Sequence, residues 1–440
     1  MASLRPARMI SVISDGNFRR LWMTGWLTWT TRWLEILAIG VTVYQLTQSA
    51  FQVTLMMTIR MAPMLFLGTF VGALADRVDR KTLLAGGLVV LSLTAACLAA
   101  IAFSGHLALW HIGVGALVNG MNPATEMPVR RTMLGTAAGP ERMSAALSLD
   151  SATNNLTRMI GPILGGVVVE RIGLQGAYAI AAVAYAGGVF LVLPISLPPP
   201  PRAAVLATRG VIATGRQIGR QIAEGLRFAL GNQVIKATLA VTMLVNFWAF
   251  SYGSLIPVVG AEDLNLTPTA IGVLAAADAL GAFLASLLVA FIAPGRDYTR
   301  IYVGGSALFL AGVLIFSFVD GYTAALAVLV FAGFGISGFG AMQSTIILTA
   351  TPPELRSRVM GVLSMSIGAS PLGLLHLGFM AEMFSARTAL SIIAIEGLAA
   401  LALCLIVWPV LWRSRELSPA TSQTAAAAPT PTTTSHTIRR

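Results

Sequence analysis

Arg32, Glu35, Arg60, Asp150, Arg158 and Asp278 are ionisable side chains set inside long apolar stretches, and His376 and Glu396 stand in the same kind of place. A charge held in hydrocarbon is costly unless it is paired or faces water, so such residues mark substrate paths, proton relays or fixed internal ion pairs. Burial disfavours the ionised form of a carboxyl group and a neighbouring cation restores it, so a sequestered Asp or Glu takes up and releases a proton as its surroundings change. Glu35 and Asp278 are therefore the leading carboxylates for proton or cation coupling. Arg32, Arg60, Asp150 and Arg158 complete the candidate cavity, and its arginines favour an anionic substrate. Fixed pairing competes with this: Arg32 lies three residues before Glu35, on a neighbouring position of one helix face, and either Arg32 or Arg60 can neutralise it permanently. Trp29, Trp33, Phe247, Trp248, Phe250 and Tyr252 suit a ring-bearing substrate, although Trp and Tyr also collect at membrane interfaces.

The stretches that must position these groups are long enough to cross a bilayer. With 56% hydrophobic and 11% charged residues and a mean hydropathy of +0.78, the chain departs far from soluble usage, where about 25% of residues are charged. About twelve runs near the roughly 20 residues that span hydrocarbon are expected: Arg20–Leu46, Phe51–Leu74, Thr82–Phe103, Leu107–Val129, Met143–Val169, Leu174–Leu197, Ala237–Gly260, Thr269–Ala293, Ile301–Val319, Tyr322–Ala350, Val359–Phe384 and Thr388–Trp412. The prolines Pro198 to Pro201 interrupt them, since proline lacks the amide hydrogen a helix needs. The expected organisation is an N-terminal segment (1–17), a first bundle (18–197), a central loop (198–236), a second bundle (237–412) and a low-complexity, disordered tail (413–440). The N-terminal segment is polar and basic, unlike a cleavable signal peptide.

The net charge of +11 is scattered over short loops rather than gathered on one face, which argues against nucleic acid. It carries topology instead. Only Arg171 and Arg387 fall on one side and Arg32, Arg60 and Arg158 within runs, so the remaining Lys and Arg of the 29 place both termini and the central loop in the cytoplasm. Arg209, Arg216, Arg220 and Arg227, interleaved with Ile212, Ile218, Ile222 and Leu226, predict a basic amphipathic helix on an anionic leaflet. Cys97 and Cys404 are isolated in apolar runs and indicate neither a disulfide framework nor a thiolate metal site. No cofactor is called for.

The segment Gly72-Ala73-Leu74-Ala75-Asp76-Arg77-Val78-Asp79-Arg80-Lys81 resembles the G-x-L-a-D-r-x-G-r-k signature between the second and third helices of major facilitator superfamily (MFS) transporters. Asp79 replaces the signature's second glycine. Arg158-Met159-Ile160-Gly161-Pro162-Ile163-Leu164-Gly165-Gly166 resembles the fifth-helix G-P-x-x-G-G element of MFS antiporters, although Ser148 and Thr157 stand where that element usually has further glycines. Shorter strings, such as Arg60-Met61-Ala62-Pro63 and Arg356-Ser357-Arg358-Val359-Met360-Gly361, are similar to the bacterial enterobactin-exporter-like and drug-efflux subgroup.

The resemblance implies an all-α membrane fold of 12 helices in two pseudo-symmetric six-helix bundles, in a bacterial inner membrane. It places the first, second, fifth and eighth helices around the cavity. It makes Gly72, Asp76, Arg77, Arg80, Glu126, Arg356 and Arg358 a conformational latch, with Asp76 near the start of the eleventh helix and Arg80 reaching Glu126. Gly161, Pro162, Gly165 and Gly166 become a helix pivot. The expected function is proton-coupled efflux of a drug, siderophore or metabolite by alternating access. The expected partners are a small-molecule substrate, protons and anionic lipid headgroups around a monomer. Import of a nutrient or vitamin is the alternative. An intramembrane serine hydrolase built on Ser370 and His376 is remote, because six residues apart on one helix they do not share a face.

Overall fold

The computed structural model describes residues 11–75, 79–197, 211–292 and 298–413. Its long helices form two sets. The first comprises α1 (Gly16–Thr47), α2 (Ala50–Ala75), α3 (Arg80–Phe103), α4 (Leu109–Ala138), α5 (Met143–Ile172) and α6 (Leu174–Val192). A connecting helix, α7 (Val211–Gly231), leads to the second set. That set comprises α8 (Gln233–Glu262), α9 (Pro268–Ile292), α10 (Tyr298–Phe316), α11 (Tyr322–Ala350), α12 (Pro353–Met383) and α13 (Ala386–Val407). Helices α3, α6 and α8–α13 are long and apolar enough to cross a membrane by composition. The other long helices carry Arg32, Glu35, Arg60, Glu126, Arg130, Asp150 and Arg158.

Helix ends follow local chemistry. Asp15 caps α1 by accepting from the Phe18 amide at 2.8 Å, and Gln48 ends it in the left-handed conformation at φ 51°. Asp79 caps α3, its Oδ2 accepting from the amide and the hydroxyl of Thr82, each at 3.0 Å. An aspartate at this place thus satisfies orphan amides of the first turn, a task glycine cannot perform. The fourth helix runs to Ala138 rather than stopping near Val129, because Arg130 is fully buried against carboxylates instead of lying in a loop.

Two long helices are broken. In α8, a π-helical turn over Val245–Ala249 passes into a 3₁₀ stretch over Phe250–Leu255. In α12 the helix lapses at Gly368 and Ala369. Both breaks release backbone groups within a span, a feature concentrated at functional sites.

The apolar core shows how the sets meet. One cluster runs through both, joining Leu37, Val41, Val53 and Met56 to Val241, Val259, Ile271 and Leu377. Toward the end where α1 begins, the clusters separate: Phe18, Leu88, Met133 and Tyr185 belong to the first set alone, and Ile235, Ile347 and Val362 to the second. The two bundles are therefore fused at the end where α1 and α2 meet and divided at the end that carries α7.

The central helix docks along one face on α12: Glu224 pairs with Arg358 at 2.7 Å, Ala229 is buried with Val359 and Val362, and Gly225 lies against the Arg358 carbonyl. On the rest of the described helix Arg220, Leu226, Arg227 and Leu230 stay exposed. Arg209 and the side chains of Ile212, Arg216, Ile218 and Ile222 lie outside the described residues.

Backbone contacts explain several glycines. A Cβ at Gly120 of α4 would collide with the Arg60 carbonyl of α2, and one at Gly281 of α9 with the Val330 carbonyl of α11. Gly304, by contrast, has nothing near its Cβ position. Gly120→Ala and Gly281→Ala are each expected to lower stability by about 1–3 kcal/mol through overpacking. Gly304→Ala should be neutral or stabilising by up to about 1 kcal/mol, since alanine favours a helix interior. Unfolding midpoints of the purified variants check both directions.

Candidate functional site: a divided hollow between two helical bundles

Arg130 anchors the first bundle. Its Nη1 donates to Asp150 Oδ1 at 2.6 Å, its Nε lies 3.5 Å from Glu126 Oε1, and its guanidinium sits 4.2 Å over the Trp29 ring. Glu126 also takes the Arg32 guanidinium at 2.7 Å, the Thr28 hydroxyl at 3.0 Å and the Asn122 amide at 3.3 Å. This corrects one expectation: Arg32 pairs with Glu126 across to α4 rather than with Glu35 on its own helix. Glu126 is a buried member of this network, and the contact expected from Arg80 belongs to the outward-facing form. Neighbouring positions on one helix face do not bring two side chains together when an adjacent helix offers a better-aimed partner.

Glu35 and Arg60 make a second polar core. Glu35 Oε2 accepts from Tyr185 at 2.7 Å and from Asn119 at 2.8 Å, and Arg60 donates to the same Asn119 at 3.1 Å. Glu35 is 1% and Arg60 6% exposed. Both therefore sit inside the first bundle, among α1, α2, α4 and α6, and not on the hollow where the sequence placed them. Asn119, Tyr185 and Arg130 were missed. The signal for Arg130 was its four-residue spacing from Glu126.

Arg158 and Asp278 join the bundles. Arg158 Nη2 donates to Asp278 Oδ2 at 2.7 Å, and the Tyr252 hydroxyl donates to the same oxygen at 2.8 Å. Arg158 keeps 24% of its side chain exposed and lies at the end of a polar line on α5. Ser144, Ser148, Ser151 and Asn155 in that line are all exposed. Such a stripe within a span belongs against water, because lipid offers no partner to its polar groups. It marks the wall of a hollow that opens toward the α7 end and is floored by the Arg158–Asp278 pair.

Beyond that pair the bundles are clasped. Tyr44 donates to Glu262 at 2.8 Å, Ser49 to Glu382 at 2.9 Å, and the Thr269 amide to Glu170 at 2.9 Å. Each bond crosses from one bundle to the other. At the same rim Asp263 lies 3.1 Å from Arg387. Burial pushes its carboxyl above the ordinary range, with Arg387 opposing the shift. The expected pivot glycines line two seams. Gly161 and Gly165 lie on α1, at Thr30, Trp33 and Leu34; Gly166 meets the Pro268 carbonyl, and Gly272 of α9 meets the Pro162 carbonyl.

Of the expected latch, Asp76 and Arg77 lie outside the described residues, as does the surrounding of Gly72. Arg358 is held by Glu224, and Arg356 donates to the Leu348 and Thr351 carbonyls, so both are engaged within the second half. Among the described residues no metal-binding cluster of His, Cys, Asp or Glu occurs.

Two bundles around a charged, one-sided hollow define a membrane transporter of the major facilitator type. The sequence profile of the transmembrane secretion effector family matches residues 8–430, and the chain belongs to that family. It is 26% identical over 373 residues to the enterobactin exporter EntS of Shigella flexneri, covering 81% of this chain and 84% of the relative. It is 21% identical over 335 residues to macrolide efflux protein A of Streptococcus pyogenes, covering 75% and 80%. Among solved structures, the fold is similar to a bacterial homologue of the human lysosomal transporter Spinster, at TM-score 0.67 and 14% identity over 93% of this chain and 98% of that one. It is also similar to a POT peptide transporter, at TM-score 0.66 and 14% identity over 91% and 96%.

The clasped end is open to direct trapping. A Cβ at Gly378 of α12 would lie 3.0 Å from the Thr54 Cβ of α2, closer than the roughly 3.5–4.5 Å of a disulfide, so a cross-link there needs the two helices to part slightly. In a background lacking Cys97 and Cys404, Thr54→Cys with Gly378→Cys is expected to cross-link on oxidation. Transport should then stop and return on reduction; gel mobility and uptake assays read both.

Proposed function

We propose that this chain is a proton-driven exporter of small, ring-bearing organic compounds, working as a monomer in a bacterial cytoplasmic membrane with both termini in the cytoplasm. The observation that carries this reading is the Arg158–Asp278 pair, the ionic link between the bundles found among the described residues, at the closed floor of the hollow. With the termini cytoplasmic, the hollow faces the cytoplasm and the Glu262, Glu382 and Glu170 clasps close the outer side. The efflux names of the enterobactin and macrolide relatives support the direction.

In this cycle the substrate enters from the cytoplasm along the polar face of α5. An anionic or electron-rich group draws Arg158 away from Asp278, with Arg32, 16% exposed, as a second cation at the wall. Loss of the ionic link frees the bundles to rock about the glycine seams of α5, and the outer clasps part. On the outer side a proton neutralises Asp278 as substrate leaves, so Arg158 is not recaptured there. After return, Asp278 yields the proton to the cytoplasm and the pair reforms. Glu35 and Arg60 serve by holding α1, α2, α4 and α6 as one rigid unit, and the segment containing Asp76 acts as the latch of the outward-facing state.

A ligand-stabilisation screen over catecholates, macrolides and dyes supplies the substrate. Inverted membrane vesicles acidified inside are then expected to accumulate it. Asp278→Asn should reduce gradient-driven accumulation at least tenfold while binding persists, whereas loading of right-side-out cells under an inward proton gradient would mean import. Unchanged gradient dependence in Asp278→Asn would remove the coupling assignment.

A further inference from the structure

A second ionisable group lies deep in the membrane, away from the hollow. Glu396 is ten residues from the start of α13 and eleven from its end, which puts it about 15 Å from either terminus at 1.5 Å per residue. Its Oε2 receives the Trp248 indole N–H at 2.9 Å and meets His376 Nε2 at 2.8 Å. The π-helical turn of α8 sets Trp248 in this position, and Gly373 lets α12 lie directly on the Phe247 carbonyl beside it. Phe247 packs on the imidazole with ring centroids 5.7 Å apart. The broken stretches of α8 and α12 thus converge on one carboxylate carried by α13.

This carboxylate faces outward. Gly378 of α12 packs on Thr54 of α2, and His376, two residues earlier, points to roughly the opposite side of the helix. Leu372 and Phe379 flank His376 and are exposed, as is Ile395 next to Glu396. Large apolar side chains on the outside of a membrane bundle abut hydrocarbon. Yet Glu396 keeps 40% and His376 28% of their side chains exposed at this seam. The partners of Glu396 are a neutral indole N–H and an imidazole that is charged only when protonated. The other nearest charges on the same helices, Glu382 and Arg387, lie six residues from His376 and nine from Glu396. At mid-span depth a lipid headgroup does not reach the seam, whereas an amphipathic organic cation dissolved in the bilayer does.

We infer that the Glu396–His376–Trp248 seam is a lipid-facing binding site for lipophilic organic cations, separate from the hollow floored by Arg158 and Asp278. Glu396 supplies the charge, and the faces of Trp248 and Phe247 supply cation–π contact, which strengthens when water is excluded. Bilayer-dissolved cations reach the seam sideways, between α12 and α13, without passing through the aqueous mouth.

The test uses the full chain in lipid nanodiscs, with radiolabelled tetraphenylphosphonium as probe and tetraphenylborate as its charge-inverted isostere. Saturable binding of the cation, weakened at least tenfold in Glu396→Gln and partly restored in Glu396→Asp, is the expected result. Affinity should be unchanged in Asp278→Asn, which separates this site from the central pair and from the export cycle. Undiminished binding in a Glu396→Gln protein of normal melting temperature would overturn the inference. So would loss of binding in Asp278→Asn, or equal saturable binding of the borate.

Discussion

A charge inside a bilayer must find its complement within the protein, and the architecture of this chain is arranged around that constraint. Glu126, Arg130 and Asp150 tie α4 to α5, and Arg32 brings α1 onto the same carboxylate. Glu35, Asn119, Tyr185 and Arg60 bind the other face of the bundle. Removing one member of such a set strands its partner, which is far more damaging than the modest net value of an intact pair. The first bundle is thereby tied together from within, and that stiffness is what lets an inter-bundle pair such as Arg158–Asp278 act as a link. Arg158 and Asp278 differ from the others in one respect: they belong to different bundles, so their separation leaves the ion pairs inside the first bundle intact.

Close helix contact is the second constraint. Lipid provides no hydrophobic drive for one span to associate with another, so association relies on shape and on small residues that admit backbone to backbone. Gly165 sits on Leu34, Gly166 and Gly272 sit on opposing carbonyls across the α5–α9 seam, and Gly335 meets the Gly305 carbonyl between α10 and α11. Surfaces so smooth can slide or tilt without unlocking interdigitated side chains. The clasps of Glu170, Glu262 and Glu382 lie at the rim of those seams, as individual hydrogen bonds able to break one at a time.

The helical architecture was legible because the length and hydropathy of each run are properties of the chain taken in order. Partner choice was not. Whether Arg32 meets Glu35 or Glu126 depends on how α1 is rotated against α4, and no spacing on one helix records that rotation. Arg130 was sorted with loop charges because it stands beside Arg131, which is largely exposed, and only packing against Trp29 and Asp150 distinguishes the two. Asp79 departs from a familiar glycine, yet its side chain does the work of a cap. Amphipathic periodicity in α7 correctly indicated a surface to be covered, and α12 covers one face of its described end.

The fully enclosed guanidinium of Arg130 has a consequence for how this protein can diverge. With carboxylates from two helices converging on it and an indole ring beneath, removing either acid leaves a buried cation under-compensated, and removing the arginine leaves Glu126 and Asp150 each short of a cation. Substitutions at positions 126, 130 and 150 are therefore energetically coupled, so that a change at one alters the cost of a change at the others.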